Sequence, residues 1–385
     1  MTRRANGEGS IYYRESRRRW EGIVTIGLSE DGSPIRRTVV GSTRGEVTSK
    51  VSELIARVQV STDHRAGITV REWCEWWIEY VLPTSGIRQI TIDKYESHVR
   101  RYVVPILGRI RVDRLSPGDV ERMIASMRSE GFAPATISHA YRTLHRALEI
   151  AVRRGLANRN VASLVDGPRG VRGREQRLSR DQVEKLRDHV RGHRDEALIA
   201  LLIATGLRRA EISGLTWDDL DLEAREPSIT IRRALVITSR GAVLGPPKTK
   251  HSRRTIPLAL SCVEILRTHR RRQAEERLRF GEGWGDRWEL ERFTFTTTIG
   301  TPIHPDNVSH LVGKLTKEAG IGTIYPHAIR HTFGTILLES GVPLEDVSRY
   351  MGHSSLAFTW DVYAHVLKPH RSIAPDVDRV MFGAS

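Results

Sequence analysis

Six residues in the second half of this 385-residue chain have the types and the order needed to hold an anion and move protons around it. Arg208 stands in the run Ala204-Thr205-Gly206-Leu207-Arg208-Arg209-Ala210-Glu211-Ile212, where Gly206 lets the chain bend at a helix entrance. Exposed backbone N–H groups at such an entrance welcome an anion. Glu211, three residues on, shares a helical face with Arg208 and can orient it or a nearby histidine. Lys248 and Lys250 lie in Pro247-Lys248-Thr249-Lys250-His251-Ser252-Arg253-Arg254, a run held within two predicted strands around a turn, Ile229–Ile237 and Ala242–Leu258. A lysine near a hairpin turn can reach a neighbouring groove and donate a proton to a leaving oxygen, although with the motif standing by itself a solubilising turn lysine is the favoured reading. The densest cluster is Tyr325-Pro326-His327-Ala328-Ile329-Arg330-His331-Thr332-Phe333, in which His327 and Arg330 share a helical face. A second amphipathic helix after Gly341-Val342-Pro343 leads to His353, and Tyr363 follows ten residues later. A metal reading of His327, His331 and His353 is weak. No glutamate lies between paired histidines, no cysteine cluster is near, and two arginines beside the ring nitrogens repel a cation.

Three kinds of segment must position these residues. From Gly9 to about Gly41 the chain alternates as short strands, with Ser10–Tyr13, Trp20–Leu28 and Ile35–Val40 separated by turn residues, and 43–60 reads as one amphipathic helix. The expected assembly is a three-stranded sheet backed by a helix, spanning 1–62. Its arginines and exposed aromatics suit a face laid on DNA, and a solvated basic face has the same composition. From 67 to 165 the pattern is helical. Thr69-Val70-Arg71-Glu72 caps a helix through Trp73–Tyr80, a second starts near Thr91, a third at Ser116-Pro117, and a fourth runs from Ala133-Pro134 to about Arg154. Arg100, Arg101, Arg142, Arg146, Arg153 and Arg154 fall on the helix surfaces, either against DNA or in solvent. Residues 166–177, glycine-rich and basic, form a linker, and Ser179-Arg180-Asp181-Gln182 caps the first helix of a domain spanning 178–385.

Composition bounds the partners. A formal charge of +15 and a pI near 10.3 call for a polyanion, a balance that ribosomal and membrane-surface proteins share. Only eight of the 61 basic residues are lysines, so each lysine stands out against arginines that hold phosphate but do not readily give up a proton. No apolar run approaches the roughly 20 residues of a spanning helix, the N-terminus lacks a signal-peptide stretch, and Cys74 and Cys262 lie far apart. These features predict a cytoplasmic, nucleoid-associated protein without disulfides or membrane contact.

Arg208, Lys248, His327-x-x-Arg330, His353 and Tyr363 together resemble the active-site set of the tyrosine recombinase, or phage integrase, family. The resemblance covers essentially the whole chain and is most specific at these six positions. It implies a multidomain, mainly α protein with small β-sheets (α+β). An arm-type DNA-binding domain would come first, then a helical core-binding domain, then the catalytic domain. It implies that Arg208 and Arg330 clamp the scissile phosphate, that Tyr363 is the nucleophile, and that Lys248, or less favourably Lys250, is the acid. His327 and His353 would assist proton transfer and phosphate binding. Many relatives carry aspartate where this chain has Ala328. The implied chemistry uses no cofactor and no metal, because two guanidinium forks neutralise the phosphate and a phenol ionises more easily than serine. A 3′-phosphotyrosyl intermediate and a homotetramer on core- and arm-type double-stranded DNA sites follow from the family, with a DNA-bending host factor and a directionality factor as further partners. The two-part N-terminal region favours an integrase of a phage or other mobile element, since a separate arm-reading domain suits bivalent binding. A topoisomerase and a DNA-binding regulator with a decayed site are the competing readings.

Overall fold

A computed structural model describes residues 10–15, 18–28, 34–52, 67–168, 176–247, 252–285, 288 and 291–364. The chain divides into two compact units, Met1–Arg172 and Gly173–Ser385.

The first unit opens with an antiparallel sheet of β1 (Ser10–Arg14), β2 (Arg19–Leu28) and β3 (Pro34–Gly41), in that order. Its register pairs Tyr12 with Glu21 and Tyr13 with Trp20. Helix α1, residues 44–52, packs Val47 and Val51 on Ile11, Trp20 and Val39. Gly22 permits that approach, because a Cβ there would lie 2.5 Å from Val51 Cγ2. The predicted continuation of this helix to Val60 lies outside the described residues.

Two helices of the first unit begin at the caps the sequence places, Thr69 and Ser116, whereas the helix expected near Thr91 starts at Gln89 without a side-chain cap. In α2 (Val70–Trp76) the Thr69 backbone N–H donates to Glu72 Oε2 at 2.8 Å while the Glu72 N–H donates to Thr69 Oγ1 at 3.3 Å. After α3 (Gln89–His98), a wide turn over Val99–Val103 joins α4 (Val104–Leu107). Pro105 has no N–H to donate to the carbonyl of Arg101, which accounts for the loosened pitch. Ser116 and Asp119 cap α5 (Pro117–Ser129) reciprocally, and Pro134 occupies the first turn of α6 (Pro134–Arg153). Trp73, Trp77, Met123 and Leu144 form the core, with the Trp73 indole N–H donating to Ala147 O at 3.0 Å. The six surface arginines expected on this bundle are all exposed.

The second unit begins with α7 (Arg180–His189), capped by Ser179 and Gln182. The apolar helix α8 (Glu196–Thr205) follows, then the short α9 (Arg209–Ser213). Four short strands come next, β4 (Leu220–Asp221), β5 (Ser228–Ile231), β6 (Ala234–Thr238) and β7 (Gly241–Gly245), before β8 (Arg254–Pro257). The two long strands predicted here are therefore corrected. β5 pairs with β4 and β8 in one sheet, and β6–β7 is a separate hairpin. The break falls at Arg232-Arg233, whose side chains bond outward to Asp218 O and Thr216 Oγ1, and Pro246-Pro247 ends β7. Helices α10 (Leu260–Phe280), α11 (Pro305–Glu318), α12 (Pro326–Glu339), α13 (Leu344–Met351) and α14 (Leu356–Tyr363) complete the unit. Leu198, Leu201, Ile212, Ile229, Val263 and Ile329 belong to its main core. A smaller cluster joins Val347, Met351 and Tyr363 with Phe333 and Leu337. Among the described residues no helix is long and apolar enough to cross a membrane. Cys74 and Cys262 are buried free thiols, pushed up by burial to about 12 and about 11.

Candidate active site

The site is organised around the end of α13. Gly206 closes α8 with φ 58°, and a Cβ there would stand 2.7 Å from the Phe333 ring of α12. Glycine thus serves both the left-handed cap and the close packing of the two helices. It leaves the Gly206 carbonyl to accept from Arg330 Nη1 at 2.7 Å. Arg208, two residues past that bend, caps α9 and sends Nη2 to the Gly352 carbonyl at 2.9 Å. Arg330 Nη2 donates to the Met351 carbonyl, and Arg254 Nε of β8 donates to the Tyr350 carbonyl at 2.5 Å. Three consecutive carbonyls at the C-terminus of α13 are therefore each held by a different arginine. Helix ends leave such carbonyls without intrahelical partners, and they carry partial negative charge.

One carboxylate offsets this gathering of cations. Glu211 is 2% exposed and takes a two-pronged contact from Arg254, at 3.2 and 3.0 Å, with Arg208 Nη1 at 2.7 Å. Burial alone raises its carboxyl, but Arg254, Arg208 and Arg330 outweigh burial and hold it at about 2. Arg330, 3% exposed, is drawn down to about 9 by burial and then by Arg208, and stays protonated at neutral pH. The expected link between Arg208 and Glu211 is present. Arg254, which sequence reasoning passed over, is the other half of the buried pair.

The histidines and the tyrosine lie around this cluster. His353 follows the α13 end, with Nδ1 2.8 Å from Thr359 Oγ1 and its ring edge-on to Phe358. Burial, then Arg330 and Arg208, lower it to about 3, so it is neutral at pH 7. A depression of about 480 Å³ beside it is lined by Arg253, Arg254, Arg349, His353, Ser354 and Ser355. His327 is exposed at the start of α12, and its Nε2 lies 3.1 Å from Nε2 of His331. Tyr363 is 1% exposed, and its phenol donates to Met351 Sδ at 3.4 Å. Gly334 makes room for it, since a Cβ there would sit 2.5 Å from the phenol oxygen. The structure therefore brings Arg208, Arg330, His353 and Tyr363 to the α13 end, with His327 on the rim. Lys248 and Lys250 lie outside the described residues. Clustered guanidiniums, a neutral imidazole and a phenol on one helix end can bind an oxyanion and supply a nucleophile beside it.

The profile of the Phage integrase family matches residues 176–370. An integrase of Streptomyces ambofaciens is 31% identical over 385 residues, 95% of this chain and 94% of the relative. The chain belongs to the phage integrase family. It is a site-specific DNA recombinase of the tyrosine type. A XerC-like tyrosine recombinase of Caldanaerobacter subterraneus subsp. tengcongensis is 29% identical, covering 97% of each chain. In fold, the recombinase resembles the Tn1549 transposon integrase solved with a circular intermediate DNA. That match has a TM-score of 0.65 at 24% identity and covers 80% of this chain and 99% of the other. A lambda integrase dimer bound to a core site matches over 96% of this chain and 99% of that one, with a TM-score of 0.57 at 15% identity. The mainly helical architecture with small sheets agrees with the sequence expectation.

Proposed function

We propose that Tyr363 attacks a DNA phosphodiester clamped by Arg208 and Arg330, and that Lys248 protonates the departing oxygen. The phenol oxygen forms the new bond to phosphorus, the bond from phosphorus to the 5′ oxygen breaks, and that oxygen takes its proton from the lysine. The phenol proton passes to the histidine side of the site, where His327 and His353 stand. The product is a 3′-phosphotyrosyl link, and a 5′-hydroxyl reverses the step without an external energy source. One observation carries this reading. Arg208 and Arg330 come from different helices to adjacent carbonyls, Gly352 and Met351, on the turn before His353. Forks already fixed in place meet a developing phosphorane charge without reorganisation.

In this reading, residues 1–62 contact arm-type sites, 67–165 and 178–385 grip the core-type site, and 166–177 follow the phosphate backbone between them. The protein acts as a homotetramer on paired double-stranded sites, in the cytoplasm at the nucleoid. A DNA-bending host factor and a directionality factor select integration or excision of a phage or other mobile element. The test is a nicked half-site duplex built from the DNA flanking the gene, incubated with the full chain in chelator. A covalent adduct is expected with the wild-type chain and none with Tyr363→Phe, while binding persists. An adduct that requires magnesium, or that survives loss of Tyr363, refutes the mechanism. Supercoil relaxation without recombinant product on paired sites marks a topoisomerase instead.

A further inference from the structure

His331 has no part in the mechanism above, yet it lies between two residues that do. It is 9% exposed, and its Nε2 faces that of His327 at 3.1 Å. The two rings meet edge to face, with centroids 4.5 Å apart and planes at 86°. On another side the His331 ring lies against Tyr363, at 5.8 Å and 48°. Two ring nitrogens this close attract when one carries a hydrogen and the other a lone pair, and repel when both are protonated. That separation suits one hydrogen between the two Nε2 atoms and disfavours a second.

Its surroundings reinforce that limit. Arg330 on the same helix, Arg208 at the α9 entrance and Arg254 on β8 bring positive charge to the site, with Glu211 as their carboxylate partner. Among the described residues His353 and Tyr363 are titratable groups at this site, and His331 acts on His353 electrostatically, while α13 also carries Glu345, Asp346 and Arg349 and α14 carries Asp361. Helix α8 carries no ionisable side chain beyond Glu196 at its start, and α11 exposes Asp306, His310, Lys314, Lys317 and Glu318 to solvent.

We propose that His331 is a positioning residue for strand cleavage. Facing His327 across one shared proton and packed on Tyr363, it fixes which nitrogen of His327 carries hydrogen when the tyrosine is engaged. The inference rests on the reading of Tyr363 as nucleophile and His327 as its partner at the phosphate. A structural filler in the same place would leave the titration of His327 unaffected.

The full chain, labelled with ¹⁵N-histidine, reports ring tautomers directly. In the wild-type protein His327 and His331 are expected to titrate in two linked steps more than about one pH unit apart. His331→Gln keeps an amide able to reach His327 but takes up no proton, so His327 should then titrate in one step. On the nicked half-site duplex, the same variant should form adduct roughly ten- to a hundredfold more slowly, with an altered pH profile and unchanged DNA binding. The wild-type titration carries the test even where the variant folds poorly. Independent single steps for the two histidines, or a wild-type pH profile in His331→Gln, overturn the proposal. Tyr363→Phe runs on the same duplex. An adduct there refutes the nucleophile itself, which distinguishes that failure from a failure of His331 alone.

Discussion

Glu211→Gln tests whether one carboxylate holds the arginine cluster together. The substitution keeps the size and one acceptor oxygen but removes the charge that Arg254 and Arg208 contact at 2.7 to 3.2 Å. Both side chains of the Glu211–Arg254 pair are 3% exposed, so Arg254 would be left buried beside Arg208 and Arg330 with no countercharge. Breaking a buried pair on one side costs about 3–5 kcal/mol. The depression of the carboxyl from 4.5 to about 2 by the same arginines points in the same direction. The sign follows from the direction. A carboxyl depressed in the folded state contributes its full stabilisation above pH 4.5 and loses it as pH falls toward 2. Hydrogen exchange read at α9 and β8 isolates this unit, and should show the variant losing about 3–5 kcal/mol at pH 7 with a flattened dependence between pH 5 and 2. Adding Arg254→Met removes the stranded cation and should restore at least about 1 kcal/mol, since replacing both partners is far milder than removing one. A loss under about 1 kcal/mol for Glu211→Gln, or strict additivity in the double variant, would refute the reasoning.

Three further outcomes are expected. Gly334→Ala places a methyl 2.5 Å from the Tyr363 oxygen and 2.8 Å from Met351 Sδ, so it should destabilise by about 1–3 kcal/mol. Ultraviolet titration should then show one more accessible phenol than in the wild type. Alanine at Lys248 should slow cleavage by about 10²–10⁴-fold on normal DNA, and a 5′-bridging sulfur should restore the rate because a thiolate leaves without a proton. The same pair of substrates applied to Lys250→Ala identifies which lysine is the acid. His353 sits near 3 against an ordinary 6.5, so the unfolded chain binds its proton first and the protein loses stability as pH falls through that window. A bound phosphate offsets the arginines that depress it, so calorimetry in buffers of different ionisation heat should detect proton uptake on DNA binding near pH 5.

The sequence was legible wherever chemistry is local. Arg208 and Glu211 are three residues apart, and spacing alone placed them together. The capping pairs Thr69–Glu72 and Ser179–Gln182, and Ser116 followed by Pro117, marked helix starts because each acts within one turn. The Arg254–Glu211 pair spans 43 residues and depends on the register of β8 against β5, which no periodicity reports. The same long-range pairing hid the division of two predicted strands into four. The reason for Gly334, the Tyr363 ring, comes from 29 residues further along the chain, and no local pattern reports it. In sequence His331 reads only as a candidate metal ligand, since its neighbours His327 and Tyr363 become meaningful only once α12 and α14 are packed together.

On the mechanism proposed above, a phenol that is 1% exposed and turned to a thioether has to leave that contact, by a shift of α14, before it meets the phosphate. Reactivity is then a matter of populations. A form presenting the tyrosine in one molecule per hundred lies about 2.7 kcal/mol above the resting one, and DNA must favour it by more than that to make it dominant. On that mechanism, DNA that binds both forms equally shifts nothing, however tightly it binds. Only contacts that tell the shifted helix from the resting one convert occupancy into cleavage. Selectivity for the right site can therefore reside in the movement of α14 as much as in the affinity of the basic surfaces.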